Sequence, residues 1–170
     1  MVRAKSLGKS RYEMFDTAMH SLALGRLKLE NDLRRAIERV EFLLEYQPIV
    51  SLKTGRITGC EALVRWRHPE RGVLPPAEFI AVAEETALII PMGEWVLTEA
   101  CRQNRAWQDA GLAPIHVTVN LSALQFRQKN LAALITQALK QTALAPSFLK
   151  LELTESVVME NPEAARIVLG

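Results

Sequence analysis

The sequence predicts an α/β fold in which a helix precedes part of a (β/α)8 barrel. Strand-like and helix-like segments alternate from residue 41 onward, which is typical of a largely parallel sheet covered by helices. Only the short turn LKTGR separates the first two strand segments, so we expect that pair to be antiparallel. The four predicted strands fall within residues 42–156, whereas a complete barrel needs roughly 250 residues. We therefore expect a fragment that holds about half of a barrel.

Two segments precede the barrel. Residues 1–16 form a short basic stretch, and residues 17–40 are predicted to be a helix. Apolar residues fall near one face of that helix, as an amphipathic helix requires: Leu22, Leu29, Leu33, Ile37 and Val40. Gly25 weakens the helix, so it could bend there.

The barrel elements follow in chain order. The predicted strands are residues 42–50, 57–66, 116–122 and 149–156. The predicted helices are residues 75–85, 94–110, 131–139 and a last segment that Pro162 opens. Gly111 stands where a glycine commonly ends a helix, and proline is tolerated at a helix start because its missing N–H would have no partner there.

Composition excludes several classes of protein. Apolar residues make up 49% and charged residues 24% of the chain, which is ordinary for a soluble globular protein. The net charge of +2 is too small to indicate nucleic-acid or membrane binding. Neither a secretory signal nor an apolar run of ~20 residues is present. We expect a cytoplasmic protein in which Cys60 and Cys101 are reduced core residues.

Three of the predicted strands carry a polar face. Because side chains alternate along a strand, the polar faces can be read directly from the sequence: Glu61, Leu63 and Arg65; His116, Thr118 and Asn120; Lys150, Glu152 and Thr154. The opposite faces are apolar and suited to packing under helices: Cys60, Ala62, Val64 and Trp66; Val117, Val119 and Leu121; Leu149, Leu151 and Leu153. Strands buried on both sides would be almost uniformly apolar, so the polar faces need another explanation.

One explanation is a metal site. Glu61, Asn120 and Glu152 are predicted to lie towards the C-terminal parts of their strands, where barrel enzymes build active sites. All three offer oxygen ligands, which suit Mg²⁺ or Mn²⁺ better than zinc. The alternative is a solvated sheet face, or carboxylates paired with Lys150 and Arg65.

Six sequence blocks resemble one family. CEALVRWRHPERG is similar to the signature of the EAL domain, and YQPIV, PPAEFIAVAEET, GEWVLTEAC, VNLS and LELTES resemble that family's other blocks in its order. The resemblance covers about residues 41–170. It implies a (β/α)8-like (TIM-like) barrel of EAL type, with an antiparallel first strand. It also implies Mg²⁺- or Mn²⁺-dependent hydrolysis of the bacterial messenger cyclic-di-GMP to linear pGpG.

The resemblance implies roles for single residues. Glu61, Asn120 and Glu152 match metal ligands of a two-metal site, of which Glu61 and Glu152 are counted as catalytic. Glu155 matches a residue that supports a neighbouring loop.

Further matches concern the substrate. Gln47 and Arg65 match substrate-binding positions, with Arg65 on a phosphate, where a guanidinium makes paired hydrogen bonds. Leu63 would pack against a guanine or a ribose, or else fill the barrel. His68 and His116 are not needed by the motif and are interpreted as structural.

Half of the family's motif lies outside this sequence. Paired aspartates, a lysine and a glutamate would follow Gly170, so we expect the fragment itself to be inactive and the complete parent to be a hydrolase. We also expect a homodimer formed through the EAL domain of the parent, no nucleic-acid polymer as a partner, and no membrane contact from this segment, although an upstream region could tether the parent to a membrane. The alternative is a non-catalytic sensor that binds cyclic-di-GMP.

The N-terminal residues resemble a second family. MVRAKSLGKSRYEMFD is similar to the last helix and strand of a GGDEF (diguanylate cyclase) domain, in which Lys5 and Lys9 match nucleotide-contacting positions. The predicted domains are therefore a GGDEF tail at residues 1–16, a linker helix at residues 17–40, and the N-terminal part of an EAL domain at residues 41–170. A cyclase activity of the parent would depend on sequence upstream of this chain.

Overall fold

A computed structural model describes the backbone of residues 4–153 and the side chains of residues 19–153. The helices in this part of the chain are α1 (Ala4–Arg39), α2 (Ile80–Glu85), α3 (Ile89–Asp109), α4 (Ala123–Phe126) and α5 (Leu131–Thr142). The strands are β1 (Phe42–Val50), β2 (Ile57–His68), β3 (Gly72–Leu74), β4 (His116–Asn120) and β5 (Leu149–Glu152). Short 3-10 turns cover Pro76–Glu78 and Pro146–Phe148.

The strands form one twisted layer in the order β1-β2-β4-β5, with β3 added beside β2. β1 is antiparallel to β2, whereas the pairs β2–β4 and β4–β5 are parallel. Both the antiparallel first pair and the parallel remainder confirm the expectation from sequence. The sequence did not predict β3, because three residues are too few to show an alternating pattern.

The apolar face of the sheet packs under the helices. Cys60, Ala62, Val117 and Val119 form a buried cluster with Val96 and Ala100 of α3. These strand residues are those assigned to the helix-packing face from their alternation, so that assignment is confirmed. Both cysteines are free and buried, as expected.

Helix α1 is longer and more tightly joined to the sheet than expected. It runs without interruption from Ala4 to Arg39, through the expected boundary after residue 16 and through Gly25. Leu33 and Ala36 of this helix are completely buried, in one cluster with Trp66 and other core residues. The C-terminal half of the segment described as a linker is therefore part of the domain's core.

Several boundaries of the remaining elements differ from the prediction. The predicted helix 75–85 is a 3-10 turn followed by α2. α3 begins at Ile89 instead of residue 94. Pro91 is compatible with this earlier start, because it lies in the first helical turn, where a backbone N–H has no partner within the helix. Gly111 has a φ of +80° just past the end of α3, as a C-terminal glycine does.

The last predicted elements are only partly covered. β5 ends at Glu152, and the helix expected after Pro162 lies outside the described residues, as do Thr154 and Glu155. In the part of the chain that the structure describes, no helix is both long enough and apolar enough to cross a membrane.

Candidate active site

The strand register brings the predicted site residues onto one face of the sheet. Glu61 of β2 lies opposite Gln47 of β1 and opposite Thr118 of β4. Asn120 at the end of β4 lies opposite Glu152 at the end of β5. Since paired residues of adjacent strands point to the same side of a sheet, the three predicted metal ligands share a face with Gln47.

Two of these ligands are in direct contact. Nδ2 of Asn120 donates a hydrogen bond to Oε1 of Glu61 over 2.7 Å. An amide that donates through its nitrogen keeps its carbonyl oxygen as an acceptor. The contact therefore leaves one oxygen of Asn120 and the second carboxylate oxygen of Glu61 for other partners.

Backbone pairing keeps the third ligand beside the first two. The N–H of Leu121, the residue after Asn120, donates to the carbonyl oxygen of Glu152 over 2.9 Å. The side chains of Asn120 and Glu152 are exposed, and that of Glu61 is half-buried.

One positional expectation needs correction. Asn120 and Glu152 are the last residues of their strands, as predicted, but Glu61 is only the fifth residue of β2. The reason is that β2 continues beyond its last parallel pair, Ala62 with Val119, to pair only with β1 and β3. Glu61 lies at the C-terminal end of the parallel part of β2, which is the part that matters for the site.

Arg65 is held by a charge from the neighbouring strand. Its Nε lies 2.8 Å from Oε2 of Glu45, and its Nη1 donates to the carbonyl oxygen of Val64 over 3.0 Å. The pairing that sequence reasoning allowed as an alternative, between Arg65 and Glu152, is not formed. Arg65 and the exposed Gln47 both lie on the polar face: Gln47 is directly opposite Glu61 on β1, and Arg65 is further along β2.

Leu63 borders a cavity beside the polar face. The cavity, of about 220 Å³, lies between the middle of β2, the end of β4 and helices α2, α3 and α4. Its wall includes Leu63, Ile80, Met92 and Asn120. A largely apolar space thus adjoins one of the predicted metal ligands.

The turn after β4 is built from residues that the sequence analysis missed. Ser122 is the N-cap of α4, and it exchanges hydrogen bonds with Gln125 in a capping box. The signal was present in the sequence, because Ser-x-x-Gln before an apolar residue is a known helix-start pattern. The box follows Asn120 by two residues and so governs the chain direction at the edge of the site.

His68 and His116 both have local partners. His68 is buried, its Nδ1 accepts the N–H groups of Glu70 and Arg71, and its Nε2 lies 3.5 Å from Oδ2 of Asp32. The ring of His116 covers Gly59, where an added Cβ would meet Nε2 at 2.3 Å.

The pKa of His116 is lowered. Burial is the largest cause, because it disfavours the protonated ring. The nearby charge of Lys150 lowers the pKa further, whereas the charge of Glu152 raises it. These contacts agree with the structural interpretation of both histidines.

The donor set suits a hard divalent cation. Within the described residues no group of three or more His, Cys, Asp or Glu side chains converges, and the predicted set consists of two carboxylates and one amide. Thr118, between Glu61 and Lys150 in the register, has a buried hydroxyl without a hydrogen-bond partner among the described residues. An all-oxygen set beside an orphaned hydroxyl fits Mg²⁺ or Mn²⁺ and not a soft metal.

Comparison with known families accounts for this arrangement. The family model described as "EAL domain" matches residues 30–169. The chain belongs to the EAL domain family. The EAL match begins inside α1, in agreement with the burial of Leu33 and Ala36 in the domain's core.

Named relatives of this EAL chain act on cyclic-di-GMP. It is 45% identical over 169 residues to the bifunctional diguanylate cyclase/cyclic di-GMP phosphodiesterase MucR of Pseudomonas aeruginosa. It is 37% identical over 169 residues to the cyclic di-GMP phosphodiesterase PdeR of Escherichia coli K12. Both alignments cover 99% of this chain, which spans only 25% of the length of each of these curated relatives.

A solved EAL structure has the same fold. The PaMucR phosphodiesterase in complex with c-di-GMP superposes with a TM-score of 0.80 at 47% identity, over 84% of this chain and 57% of that one. The expected barrel-type fold is thereby confirmed, as an open sheet over the described residues.

Proposed function

We propose that the protein containing this chain hydrolyses cyclic-di-GMP to linear pGpG with the help of Mg²⁺ or Mn²⁺. The observation that carries the proposal is the contact between Glu61 and Asn120 with Glu152 in register beside them. The names of MucR and PdeR support cyclic-di-GMP as the substrate and phosphodiesterase as the activity. The chain is only part of each relative's length, so the activity is proposed for the complete protein.

Glu61, Asn120 and Glu152 would hold the metal in this proposal. When bound, a divalent cation stabilises the charge of a phosphoryl group and activates water for attack on phosphorus. Two negative ligands and one neutral ligand leave a divalent cation with little residual charge. Gln47 lies opposite Glu61 on the neighbouring strand, and in this proposal it contacts the dinucleotide.

Arg65 has donors left for a phosphate. A guanidinium carries five N–H groups, and the contacts with Glu45 and Val64 use only some of them. Glu45 would hold the guanidinium in place while its remaining N–H groups bind a phosphate of cyclic-di-GMP. This role explains why a half-buried arginine lies on the same face as the candidate metal ligands.

Leu63 would contact an apolar part of the substrate. The cavity of about 220 Å³ that it borders also reaches Asn120, so a guanine or ribose in it would place the attached phosphate near the metal ligands. Apolar walls with few polar groups are typical of sites for such rings.

The complete protein is proposed to carry a GGDEF domain upstream of the EAL domain. Residues 1–16 resemble the end of such a domain, and MucR, whose name includes diguanylate cyclase, is similar over 99% of this chain. Pairing of two copies through the EAL domain remains part of this proposal.

The alternative function is a sensor that binds cyclic-di-GMP without cleaving it. The presence of Glu61, Asn120 and Glu152 together on one face favours the hydrolase, because a sensor needs no metal ligands. Only the hydrolase forms pGpG, so a single experiment that detects this product separates the two functions.

The test is to incubate the complete protein with cyclic-di-GMP and Mn²⁺ and to follow pGpG by chromatography. We expect pGpG with Mg²⁺ or Mn²⁺ and none after chelation by EDTA. The 170-residue segment serves as a control, and we expect no product from it. Binding of cyclic-di-GMP by the complete protein without any pGpG would contradict the hydrolase and favour the sensor.

A further inference from the structure

We propose that Gln125 is a positioning residue that orients Asn120 and thereby sets the affinity of the protein for a divalent metal. The proposal rests on the function proposed above, in which Asn120 is a metal ligand. Gln125 itself would not touch the metal. It would act through Ser122, two residues after Asn120.

The first support is the capping box at the end of β4. Oε1 of Gln125 accepts both the backbone N–H of Ser122, over 3.1 Å, and its hydroxyl, over 3.0 Å. The hydroxyl oxygen of Ser122 in turn accepts the N–H of Gln125 over 3.3 Å. Helix α4 has only four residues, too few to be stable through its own hydrogen bonds. The box therefore determines the path of the chain after Asn120.

The second support is the close packing of Gln125 against helix α3. Only 5% of Gln125 is exposed. A Cβ added to the buried Gly93 would lie 1.8 Å from Nε2 and 2.6 Å from Cδ of Gln125, so the amide rests directly on the bare backbone of the helix. Since α3 is 21 residues long and packed under the sheet, this contact ties the box to a rigid element.

The third support is the position of Asn120 itself. It is the last residue of β4, its side chain is exposed, and the N–H of the next residue, Leu121, pairs with the carbonyl oxygen of Glu152. Residues that anchor the far side of such a ligand control its orientation, and their loss commonly costs about 10-fold to 100-fold in metal affinity. Asn120, Ser122, Gly93 and Gln125 border one cavity, which places the capping box beside the proposed ligand.

The test measures Mn²⁺ binding by calorimetry in the complete protein without substrate. Gln125→Leu keeps most of the volume but removes both acceptor contacts, and we expect Mn²⁺ to bind roughly 10-fold more weakly. Gln125→Glu keeps two acceptor oxygens and is the matched control, because Glu serves equally well in capping boxes. We expect it to recover most of the affinity. If Gln125 only stabilised the fold, Mn²⁺ affinity would not follow the loss of the acceptor contacts in Gln125→Leu and their return in Gln125→Glu.

A double-mutant cycle identifies the route. If Gln125 acts through Asn120, Gln125→Leu will have no further effect on Mn²⁺ affinity in the Asn120→Ala background. A full additional loss in that background would overturn the proposal. Should Gln125→Leu fail to fold, Ser122→Ala breaks the same box with a smaller change in volume, and the same weakening is expected.

The outcomes separate this proposal from the proposed function. If Asn120→Ala weakens Mn²⁺ binding but folded Gln125→Leu and Ser122→Ala bind it normally, the positioning role is wrong and the function stands. If Asn120→Ala binds Mn²⁺ as tightly as the wild type, the ligand assignment and the positioning role both fail. Parallel circular dichroism and thermal unfolding confirm that each variant is folded.

Discussion

Two carboxylate contacts in this molecule differ in how completely they are paired. Asp32 on α1 contacts His68 at the end of β2, and Glu61 in the middle of β2 contacts Asn120 at the end of β4. Both join an acid to a nitrogen of a neighbouring element. The first lies between a helix and the sheet, and the second lies on the polar face of the sheet.

The Asp32 contact is saturated. His68 is buried, with one ring nitrogen accepting two backbone N–H groups and the other facing Asp32. Asp32 also pairs with Arg35 one turn later on the same helix. Every polar atom of the imidazole has a partner, so this contact holds α1 on the sheet and has no capacity for a ligand.

The Glu61 contact is not saturated. Only one carboxylate oxygen is used by Asn120, whose own side chain is exposed. The residues paired with these two on adjacent strands are also polar: Gln47 and Thr118 lie opposite Glu61, and Glu152 lies opposite Asn120. On the function proposed above, the Glu61 contact belongs to a binding site and the Asp32 contact is structural. The two differ in that the contact between Glu61 and Asn120 leaves side-chain oxygen atoms unused.

The largest expected effect separates the two contacts by activity. In the complete protein we expect Glu61→Ala, and likewise Glu152→Ala, to lower the rate of cyclic-di-GMP hydrolysis on the order of 1,000-fold or more, because each removes a charged metal ligand. Asn120→Ala should lose somewhat less, since it removes a neutral ligand. Asp32→Asn is the control and should stay within about threefold of the wild-type rate. Near-normal turnover by Glu61→Ala at saturating Mn²⁺ would contradict the assignment.

The next effect concerns stability and tests whether α1 belongs to the domain. Leu33 is completely buried, so Leu33→Ala should lower the free energy of unfolding by about 2–5 kcal/mol. Leu22 on the same helix is 75% exposed, and Leu22→Ala should change it by less than about 0.5 kcal/mol. Urea denaturation of the complete protein measures both. Equal effects of the two variants would mean that α1 does not dock as described.

These regions also differ in how well the sequence predicted them. The polar face was predictable, because strict alternation along β2, β4 and β5 sorts side chains without any knowledge of the fold. The family resemblance then picked out Glu61, Asn120 and Glu152 among them. Strand pairing, which joins residues 59 positions apart, is what brought the Glu61 and Asn120 side chains into contact.

Other contacts carried no pattern that sequence alone could resolve. The docking of α1 depends on long-range partners such as His68, and a heptad-like stripe fits a free linker as well as a packed helix. The pairing of Arg65 with Glu45 depends on the register of the antiparallel pair, and that register follows from the type of the turn, which its length alone does not identify. The capping box at Ser122 could be predicted from the sequence. It matters for the candidate site only because it follows Asn120.

A smaller effect tests the role of Arg65 beside the Glu61 contact. We expect Arg65→Lys to weaken cyclic-di-GMP binding by about tenfold, because an ammonium cannot reproduce the planar fork that grips a phosphate. Mn²⁺ affinity should be unchanged. Glu45→Gln is the control for the ion pair, and it should weaken substrate binding less than Arg65→Lys does. If Arg65→Lys leaves the affinity for cyclic-di-GMP unchanged, Arg65 is only the structural partner of Glu45.

The smallest effect is the pH dependence of the saturated contact. Partial burial acts to raise the pKa of the Asp32 carboxyl, but hydrogen bonds from Arg35 and His68, together with the positive charge of Arg35, outweigh it and lower the pKa below its ordinary value. Other charged side chains also line the cavity around this contact: Arg39, Glu41 and Glu70. A carboxyl with a lowered pKa in the folded state stabilises the fold above its unfolded pKa, near 3.9, and this contribution is lost as the pH falls through the folded value.

The measurement is the free energy of unfolding of wild type and Asp32→Asn between pH 2 and pH 7. We expect the wild type to be more stable at neutral pH, and the difference between the two proteins to shrink steadily below about pH 4. Asp109→Asn removes an exposed ion pair with Arg105 on α3, and as the control it should have little effect at any pH. A difference between wild type and Asp32→Asn that stays constant across the range would mean that the Asp32 charge does not hold α1 to His68. The docking of α1 would then depend on its other contacts, among them the apolar burial of Leu33 and Ala36.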